Sequence, residues 1–442
     1  MKSRQVLIGA FLMTLAACTA DSSSSSTTAS GATQPPSSST TQGPASTVAS
    51  TLPPGTEALP ESLRAEIARL IPRTEELREL SFLEAPAIDV ISTEELTQRV
   101  VEQVAEEYED VETDEALYRL LGLVPPDYDL LDNLTLLYGE QVAGYYEGDT
   151  KELVVTARND EFTPLEEATL VHELTHALTD QHHQFNTEFD RLFESDLFDR
   201  GSALQAVIEG DASLVETLFA QQLSPAEQQE FLEEAFNIDT TVFDSVPKFI
   251  QDSLIFPYDA GVSFIQSIWV DGGFDAIDAL YANPPVSTEQ VLTPSDFGTD
   301  FPAEVEVPDR ELEGYERSYG STWGELGFRL MFDQILGGAE RAAEGWGGDG
   351  YDVYFNGTDV VLVLEYLGDT PDDGSEMSDA LGDYFQIITG IAEPIVDEGP
   401  AAGSIYEGEA YAFVGNIGER VLLVAAGDRA VGAIARSWYP EF

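Results

Sequence analysis

The amino-acid sequence predicts an α+β fold, in which a mostly helical domain with a short edge-strand sheet is followed by a small β-rich α+β region. Three observations lead to this prediction. From Leu59 to about residue 335, apolar residues recur mainly three and four positions apart, as in helices that bury one face. A short β-rich run, Leu153 to Thr156, interrupts this pattern. Beyond residue 345, apolar runs alternate with glycine-containing turns, which is typical of paired strands.

The helical part begins with two amphipathic segments. The second, "STEELTQRVVEQVAEEYED", opens with Ser92 and Glu95 in the spacing of a capping box. "GYYEGDTKELVVTA" then predicts a hairpin that ends in the strand Leu153 to Thr156. Helical patterns return after the hairpin and continue to about Leu280.

The later segments alternate between turns and regular elements. "PPVSTEQVLTPSDF" predicts a loop with a turn, and "STWGELGFRLMFDQIL" predicts a helix. One amphipathic helix, around Glu376 to Ile388, is expected between the strands of the C-terminal region. We place the boundary of that α+β domain or subdomain at residues 345–442.

The first residues predict an export signal over residues 1–17. Lys2 and Arg4 precede the apolar run "VLIGAFLMTLAA", which is too short to span a bilayer as a stable helix. The closing "LAAC" resembles a bacterial lipobox, in which cleavage precedes a cysteine that then carries lipid. We therefore predict lipidation of Cys18, which would anchor the protein to the extracytoplasmic face of the cell membrane. Cys18 is the only cysteine, so the mature protein has no disulfide available.

Residues 18–58 predict a disordered tether. They are nearly all Ser, Thr, Gly, Pro and Ala, which cannot bury an apolar face. A chain of this length and composition has a root-mean-square reach of roughly 35 Å. It would hold a folded body away from the membrane.

The charge of the chain excludes one class of partner. There are 82 acidic residues and 20 basic ones, which gives a net charge of −62. Nucleic acid is not expected as a partner, because contact with phosphates needs a basic surface. We interpret the acidity, which is spread along the chain, as an adaptation for solubility or high salt. A preference for cationic substrates is the alternative.

All four histidines of the chain lie between His172 and His183, in a segment predicted to be a helix. Thr163 can cap that helix, Pro164 suits its first position, and Glu166 completes a capping box. The absence of histidine elsewhere in the chain supports a chemical role for this segment.

His172, Glu173 and His176 form the pattern H-E-x-x-H. Residues four apart on a helix lie one turn above each other, so both imidazoles can bind one metal ion. Zn²⁺ accepts neutral imidazole at about 2.0–2.1 Å, and a catalytic site keeps one position for water. Zinc lowers the pKa of that water to about 7, and Glu173 is placed to accept its proton. The sequence therefore predicts a catalytic Zn²⁺ site.

The stretch from about Tyr138 to Glu216 resembles the zincin metallopeptidases, specifically the gluzincin type. The matching segments are "KELVVTA", "HELTH" and "VIEGDA", and the resemblance implies that Glu209 is the third metal ligand. It also implies a zincin-like metallopeptidase domain over residues 59–344. Through "PPVSTEQVL" and "GWGGDGY" the chain also resembles uncharacterised bacterial secreted zincin-like lipoproteins.

His182 is the alternative third ligand. With His172 and His176 it fits the metzincin spacing H-E-x-x-H-x-x-G-x-x-H, except that Thr179 occupies the glycine position. Threonine is β-branched and poorly suited to the sharp turn required there. If the helix continues, His182 lies about 240° round the axis from His176. We therefore favour Glu209 and expect His182 and His183 to cap or pack at the helix end, with a contact near the cleft as the alternative.

Other side chains are expected near the metal. Asp211 could orient His172 or His176 by accepting the second ring N–H, although a solvated surface carboxylate is an equal alternative. Gluzincins usually supply a histidine or tyrosine that stabilises the oxyanion. Because no further histidine exists, the candidates are tyrosines: Tyr145, Tyr146, Tyr258 and Tyr319.

The expected function is that of a lipid-anchored extracytoplasmic zinc metallopeptidase that hydrolyses peptide or protein substrates, with Glu173 as the general base. The strand Leu153 to Thr156 is expected to hold an extended peptide by main-chain pairing. The alternative is a surface binding lipoprotein with a weak or inactive zincin fold, against which the intact Glu173 argues. A purely structural zinc site is disfavoured, because such sites usually close with four ligands.

Overall fold

The protein is described by a computed structural model that covers residues 53–107, 111–157, 159–338, 340–396, 401, 403–408 and 410–442. The predicted signal peptide, Cys18 and most of the predicted tether lie outside these residues. Residues 53–58, which we had assigned to the tether, belong instead to the folded body. Thr56 is fully buried, and Ile88 N donates a hydrogen bond to Pro54 O at 3.1 Å. The chain joins the fold here because its backbone pairs with the first strand.

The described residues form thirteen α-helices, and the predicted α+β class is confirmed. The helices are α1 (Glu61–Arg78), α2 (Thr93–Glu107), α3 (Glu112–Leu120), α4 (Leu130–Gln141), α5 (Pro164–His183), α6 (Phe185–Glu194), α7 (Phe198–Ala220), α8 (Pro225–Phe236), α9 (Lys248–Ala282), α10 (Thr288–Leu292), α11 (Gly324–Ile335), α12 (Pro371–Thr389) and α13 (Arg429–Arg436). Helix α9 is broken at Gly273, whose φ of 66° interrupts the helical backbone. Helix α10 corrects the predicted loop, because Ser287 accepts a hydrogen bond from Gln290 N and begins a short helix there.

A three-stranded sheet lies beside the histidine helix, with the order β1–β3–β2. Its strands are β1 (Ala87–Ile91), β2 (Gly144–Glu147) and β3 (Glu152–Thr156). The predicted hairpin is confirmed as β2 and β3, which pair antiparallel. We had not predicted β1, which pairs parallel with β3. Strand β3 is therefore the central strand, and our expectation that its edge holds a peptide is wrong.

The second sheet has seven strands, all paired antiparallel, in the order β4–β5–β6–β10–β9–β8–β7. The strands are β4 (Glu316–Ser321), β5 (Trp346–Phe355), β6 (Val360–Gly368), β7 (Ile395–Val396), β8 (Ser404–Glu407), β9 (Tyr411–Ile417) and β10 (Arg420–Ala426). The paired strands and the intervening helix α12 agree with the sequence pattern. The sheet begins with β4, which lies before the boundary that we placed at residue 345.

Two apolar cores hold the fold together. One joins Val100, Leu137 and Phe328 of the helical part to Leu364 and Leu423 of the C-terminal part. The sheet of seven strands packs against helix α3 through β6 and against α11 through β5, and so shares this core with the helical part. The other core lies among α1, α5, α7 and α9 and contains the apolar side of the histidine helix.

Candidate metal centre

Helix α5 presents both histidines of the H-E-x-x-H pattern because strong local signals begin it. Glu166 N donates to Thr163 Oγ1 at 3.3 Å, and Thr163 N donates to Glu166 Oε2 at 2.9 Å, which confirms the predicted capping box. Pro164 occupies the first turn, where a missing N–H costs no helical bond. His172 and His176 therefore lie one turn apart on the same side of the helix.

Helix α7 brings Glu209 to these histidines. Helices α7 and α9 cross in backbone contact: a Cβ atom on Gly210 would lie 2.4 Å from Gly261 O, and one on Gly261 would lie 2.3 Å from Ala206 O. Both positions therefore need glycine. Because Gly210 directly follows Glu209, this close crossing sets the place of the Glu209 carboxylate, which is fully buried.

The side chains of His172, His176 and Glu209 converge and form a group that could hold a metal ion. One ligand atom from each residue lies within 4.8 Å of the others. Glu209 Oε2 is 3.2 Å from His172 Nε2 and 3.4 Å from His176 Nε2. Atoms bound tetrahedrally at about 2.0–2.1 Å from one ion are roughly 3.3 Å apart, so these separations fit direct coordination. The two histidines predicted as ligands from their spacing are thus brought together with Glu209, which the resemblance to gluzincins implied.

The electrostatics of this metal group favour positive charge at its centre. His172 Nδ1, on the far side of the ring from Glu209, lies 3.1 Å from Glu216 Oε2. Burial alone would lower the pKa of His172, but the hydrogen bonds to Glu209 and Glu216 raise it to about 10. Burial would likewise raise the pKa of Glu209, but His176 and His172 lower it to about 2. A bound cation would supply the same positive charge that protonated histidine supplies.

Glu173 is a fully buried carboxylate beside the metal group. Neither of its carboxylate oxygens has a hydrogen-bond partner within the part of the chain that the structure describes. Burial raises the pKa of Glu173 to about 7, although His176 and His172 oppose the rise. A carboxyl group that lacks protein partners and titrates near neutral pH is suited to exchange a proton with a molecule at the metal group.

Asp211 is fully buried and pairs with Arg78 and Tyr281, so neither role considered for it, a partner of His172 or His176 or a solvated surface carboxylate, describes its position. Its Oδ1 lies 2.9 Å from Arg78 Nε, and its Oδ2 accepts a hydrogen bond from Tyr281 Oη at 2.9 Å. Glu216 occupies the predicted place instead. Helix geometry explains the exchange: Asp211 points about 200° round α7 from Glu209, whereas Glu216, seven residues on, points within about 20° of it. This spacing is the sequence signal that identifies Glu216.

His182 and His183 lie at the C-terminal end of α5, away from the metal group. The helix continues without a break through Thr179, so no turn brings His182 back to the other histidines. His182 Nε2 lies 2.8 Å from Ser81 O, and the ring of His183 stacks on Tyr281 with centroids 4.4 Å apart. Both side chains pack at the helix end, and the alternative assignment of His182 as a ligand is wrong.

Of the four candidate tyrosines, Tyr258 has its ring beside a histidine of the metal group. The centroid of its ring is 6.4 Å from that of His172. The hydroxyl groups of Tyr146 and Tyr319 instead donate hydrogen bonds to aspartates on α5 and α3. Tyr145 lies near an arginine of α2.

Strand β2, and not β3, borders the site with an edge that is unpaired in the described sheet. A Cβ atom on Gly144 of β2 would lie 3.6 Å from Glu173 Cγ. The main chain of β2 therefore passes directly beside the buried carboxylate. One face of β2 thus lies against α5, and the outer edge of β2 has no partner strand among the described residues.

Glu216→Gln is expected to weaken metal binding by about 10- to 100-fold, because the ring orientation and basicity of a metal-bound histidine depend on the partner of its other nitrogen. Titration of the metal-free protein with Zn²⁺ as the probe ion measures this change. Asp211→Asn is the matched control on the same helix and should affect thermal unfolding more than zinc affinity. Equal zinc affinity in Glu216→Gln and the wild type would contradict the role of Glu216.

Comparison with known protein families gives a match for one part of the chain. Residues 311–435, which contain all seven strands of the second sheet, match a family described as a domain of unknown function (DUF8575). No curated protein and no solved structure matches the chain. Within the described residues, we find no helix with the length and apolar character needed to cross a membrane. The chain is similar to that family over this segment. The helices that carry the metal group, α5 and α7, lie before it.

Proposed function

We propose that the protein is a lipid-anchored, extracytoplasmic zinc metallopeptidase of gluzincin type. The observation that carries the proposal is the convergence of two imidazole nitrogens and one carboxylate oxygen beside the buried, unpartnered carboxylate of Glu173. Two nitrogens and one oxygen at tetrahedral separations suit Zn²⁺. When bound, zinc would polarise a carbonyl group and lower the pKa of water.

The residues around the metal group have distinct roles in the proposed reaction. Glu173 takes the proton from the attacking water and later delivers it to the leaving amine. Glu216 holds the ring of His172 in one orientation through Nδ1. Tyr258 is the candidate donor to the oxyanion, because its ring lies beside that of His172. The free edge of β2 would align the peptide main chain.

A surface binding lipoprotein is the second candidate, and one observation favours it. The metal group is closely covered, with exposed fractions of 2% for His172, 3% for His176 and 0% for Glu209. A peptide reaches such a group only if neighbouring elements separate. The unpartnered Glu173 favours the enzyme, since a buried carboxylate without partners costs stability and binding alone does not require it.

A purely structural metal site fits the arrangement less well. Structural zinc sites usually close with four protein ligands, and only three ligand atoms converge in the described residues. Glu216, the additional carboxylate, lies at the outer nitrogen of His172 and so serves to orient a ligand.

Removal of the metal tests the proposal directly. The full-length protein, incubated with a broad peptide library, should cleave a subset of peptides, and treatment with a zinc chelator should reduce cleavage by about 100-fold or more. Addition of Zn²⁺ after removal of the chelator should restore cleavage, whereas Ca²⁺ should not, because it prefers six to eight oxygen ligands. Cleavage that persists in the fully metal-free protein would contradict the proposed chemistry.

The anchor at Cys18 is proposed from the sequence. Cys18→Ser should move the protein from the membrane fraction to the soluble fraction. Its thermal unfolding should be unchanged, because the apolar cores are built from Leu63 onward. Ser23→Ala, in the same stretch, serves as the control and should remain in the membrane fraction. Retention of the Cys18→Ser protein in the membrane fraction would refute the lipid anchor.

A further inference from the structure

A cavity of about 540 Å³ lies between helices α3, α7, α9 and α11 and strands β4 and β5. Its volume is in the range of sites that take a small molecule or a long side chain. None of the residues of the metal group lines it. The roles proposed above for the metal group and for β2 do not involve this cavity.

The cavity begins one helical turn from the metal group. Ser202 and Gln205 line it, and they precede Glu209 by seven and four residues, so the three side chains share one stripe of α7. The helical rise places Gln205 about 6 Å and Ser202 about 10 Å from Glu209 along the axis. On α9, Pro257 lines the cavity directly before Tyr258. An extended peptide advances about 3.3 Å per residue. A peptide residue two or three positions from the one at the metal group can therefore place its side chain in the cavity.

Carboxylates line the cavity, and no Lys, Arg or His of the described chain does. The acidic residues are Glu112, Asp114, Asp196 and Asp199. Asp114 Oδ1 accepts a hydrogen bond from Tyr319 Oη, and no ion pair with a cationic side chain is found for Asp114 in the described ranges. Burial raises the pKa of Asp114, and the hydrogen bond from Tyr319 opposes the rise. A cation entering the cavity would stabilise the charged form of this carboxylate.

Aromatic rings form much of the remaining wall. Tyr118, Tyr319, Trp323 and Tyr351 all line the cavity. The rings of Trp323 and Tyr351 meet edge to face with centroids 5.6 Å apart, and those of Tyr319 and Tyr351 meet similarly at 6.2 Å. The face of an aromatic ring attracts a cation. Aromatic faces together with a half-buried carboxylate, here Asp114, are the chemistry that distinguishes a cationic side chain from a neutral one of equal length.

We propose that this cavity is a specificity pocket for an arginine or lysine side chain of the peptide whose main chain lies at the metal group. The inference rests on the proposed peptidase function and adds the substrate class to it. The net charge of −62 draws cationic peptides toward the whole protein. The cavity then determines which residue binds near the scissile bond.

Binding, measured apart from cleavage, tests the pocket. The full-length Glu173→Gln protein, loaded with Zn²⁺, is titrated calorimetrically with blocked tripeptides Gly-X-Gly, in which X is arginine, lysine, citrulline or norleucine. The arginine and lysine peptides should bind about 10-fold or more tightly than the citrulline and norleucine peptides. Asp114→Asn, added to this protein, should remove the difference. It keeps the size of the side chain and an acceptor for Tyr319.

Asp127→Asn is the control for the overall charge, because Asp127 is an exposed carboxylate outside the cavity. It should leave the preference for arginine over citrulline intact. If Asp114→Asn does not fold, as judged by thermal unfolding, the arginine and citrulline comparison in the parent protein is repeated at about 1 M salt, which screens the overall charge, and a preference that disappears there would overturn the pocket. Equal affinity for all four peptides, tighter binding of norleucine, or a preference that survives in Asp114→Asn would overturn the pocket.

The outcomes also separate the pocket from the peptidase. Selective binding of cationic peptides by a protein that cleaves nothing when loaded with zinc would leave the pocket standing and sink the proposed function. Efficient zinc-dependent cleavage with no preference for arginine or lysine near the cleaved bond would support the peptidase function and refute the pocket.

Discussion

Replacement of Glu173 by glutamine is expected to reduce peptide hydrolysis by about 10²-fold or more, the scale of a lost general base. Glutamine keeps the size of the side chain and its capacity for hydrogen bonds but cannot accept the proton of the attacking water. Zinc content should stay the same, because Glu173 is outside the group of converging ligand atoms. The measurement is turnover of one library-selected peptide by the two proteins at equal zinc loading.

Glu167→Gln provides a matched control on the same helix. Glu167 forms its ion pair with Arg69, whose side chain is half exposed, so its loss should cost little stability and no activity. If Glu173→Gln cleaves as fast as the wild type, or if the zinc-loaded wild type cleaves nothing, the surface binding lipoprotein becomes the better assignment.

Alanine at His172, His176 or Glu209 is expected to abolish stoichiometric zinc binding, with affinity lowered by about 100-fold or more. Each change removes one of the three converging ligand atoms, and the remaining two cannot hold the ion alone. Wild-type protein should contain about one zinc ion per chain, measured by elemental analysis after dialysis. The zinc-induced rise in melting temperature should disappear in the same three variants.

His182→Ala is the control for this set, since His182 belongs to the same helix but lies beside Ser81 O. It should bind zinc as the wild type does. Loss of zinc in His182→Ala together with its retention in Glu209→Ala would refute the choice of the third ligand. Retention of zinc in His172→Ala would refute the metal group as a whole.

The sequence by itself determined the elements whose signals are local. Helix α5 could be predicted because its capping box, its first-turn proline and the four-residue spacing of its histidines all lie within twenty residues. The hairpin of β2 and β3 could be predicted because its turn lies between its two strands. Neither inference needs a contact with a distant part of the chain.

The central position of β3 was decided only by the tertiary structure. Its second neighbour, β1, pairs with it in parallel through partners such as Ile88 and Leu153. Parallel strands require a long connection, and here helices α2 to α4 lie between the two strands. A five-residue run rich in β-branched and apolar residues, such as ELVVT, predicts a strand but does not show which strands pair with its two edges.

Which side chains surround His172 and His176 was likewise decided by how the helices pack. Periodicity places Glu209 and Glu216 on one stripe of α7 and Asp211 on another, but the stripe that meets α5 depends on how the helices cross. The contact of Gly210 with Gly261 sets that crossing and carries Tyr258 of α9 to the ring of His172. Local spacing decides which residues share a helix face, and only the close approach of two backbones decides which faces meet.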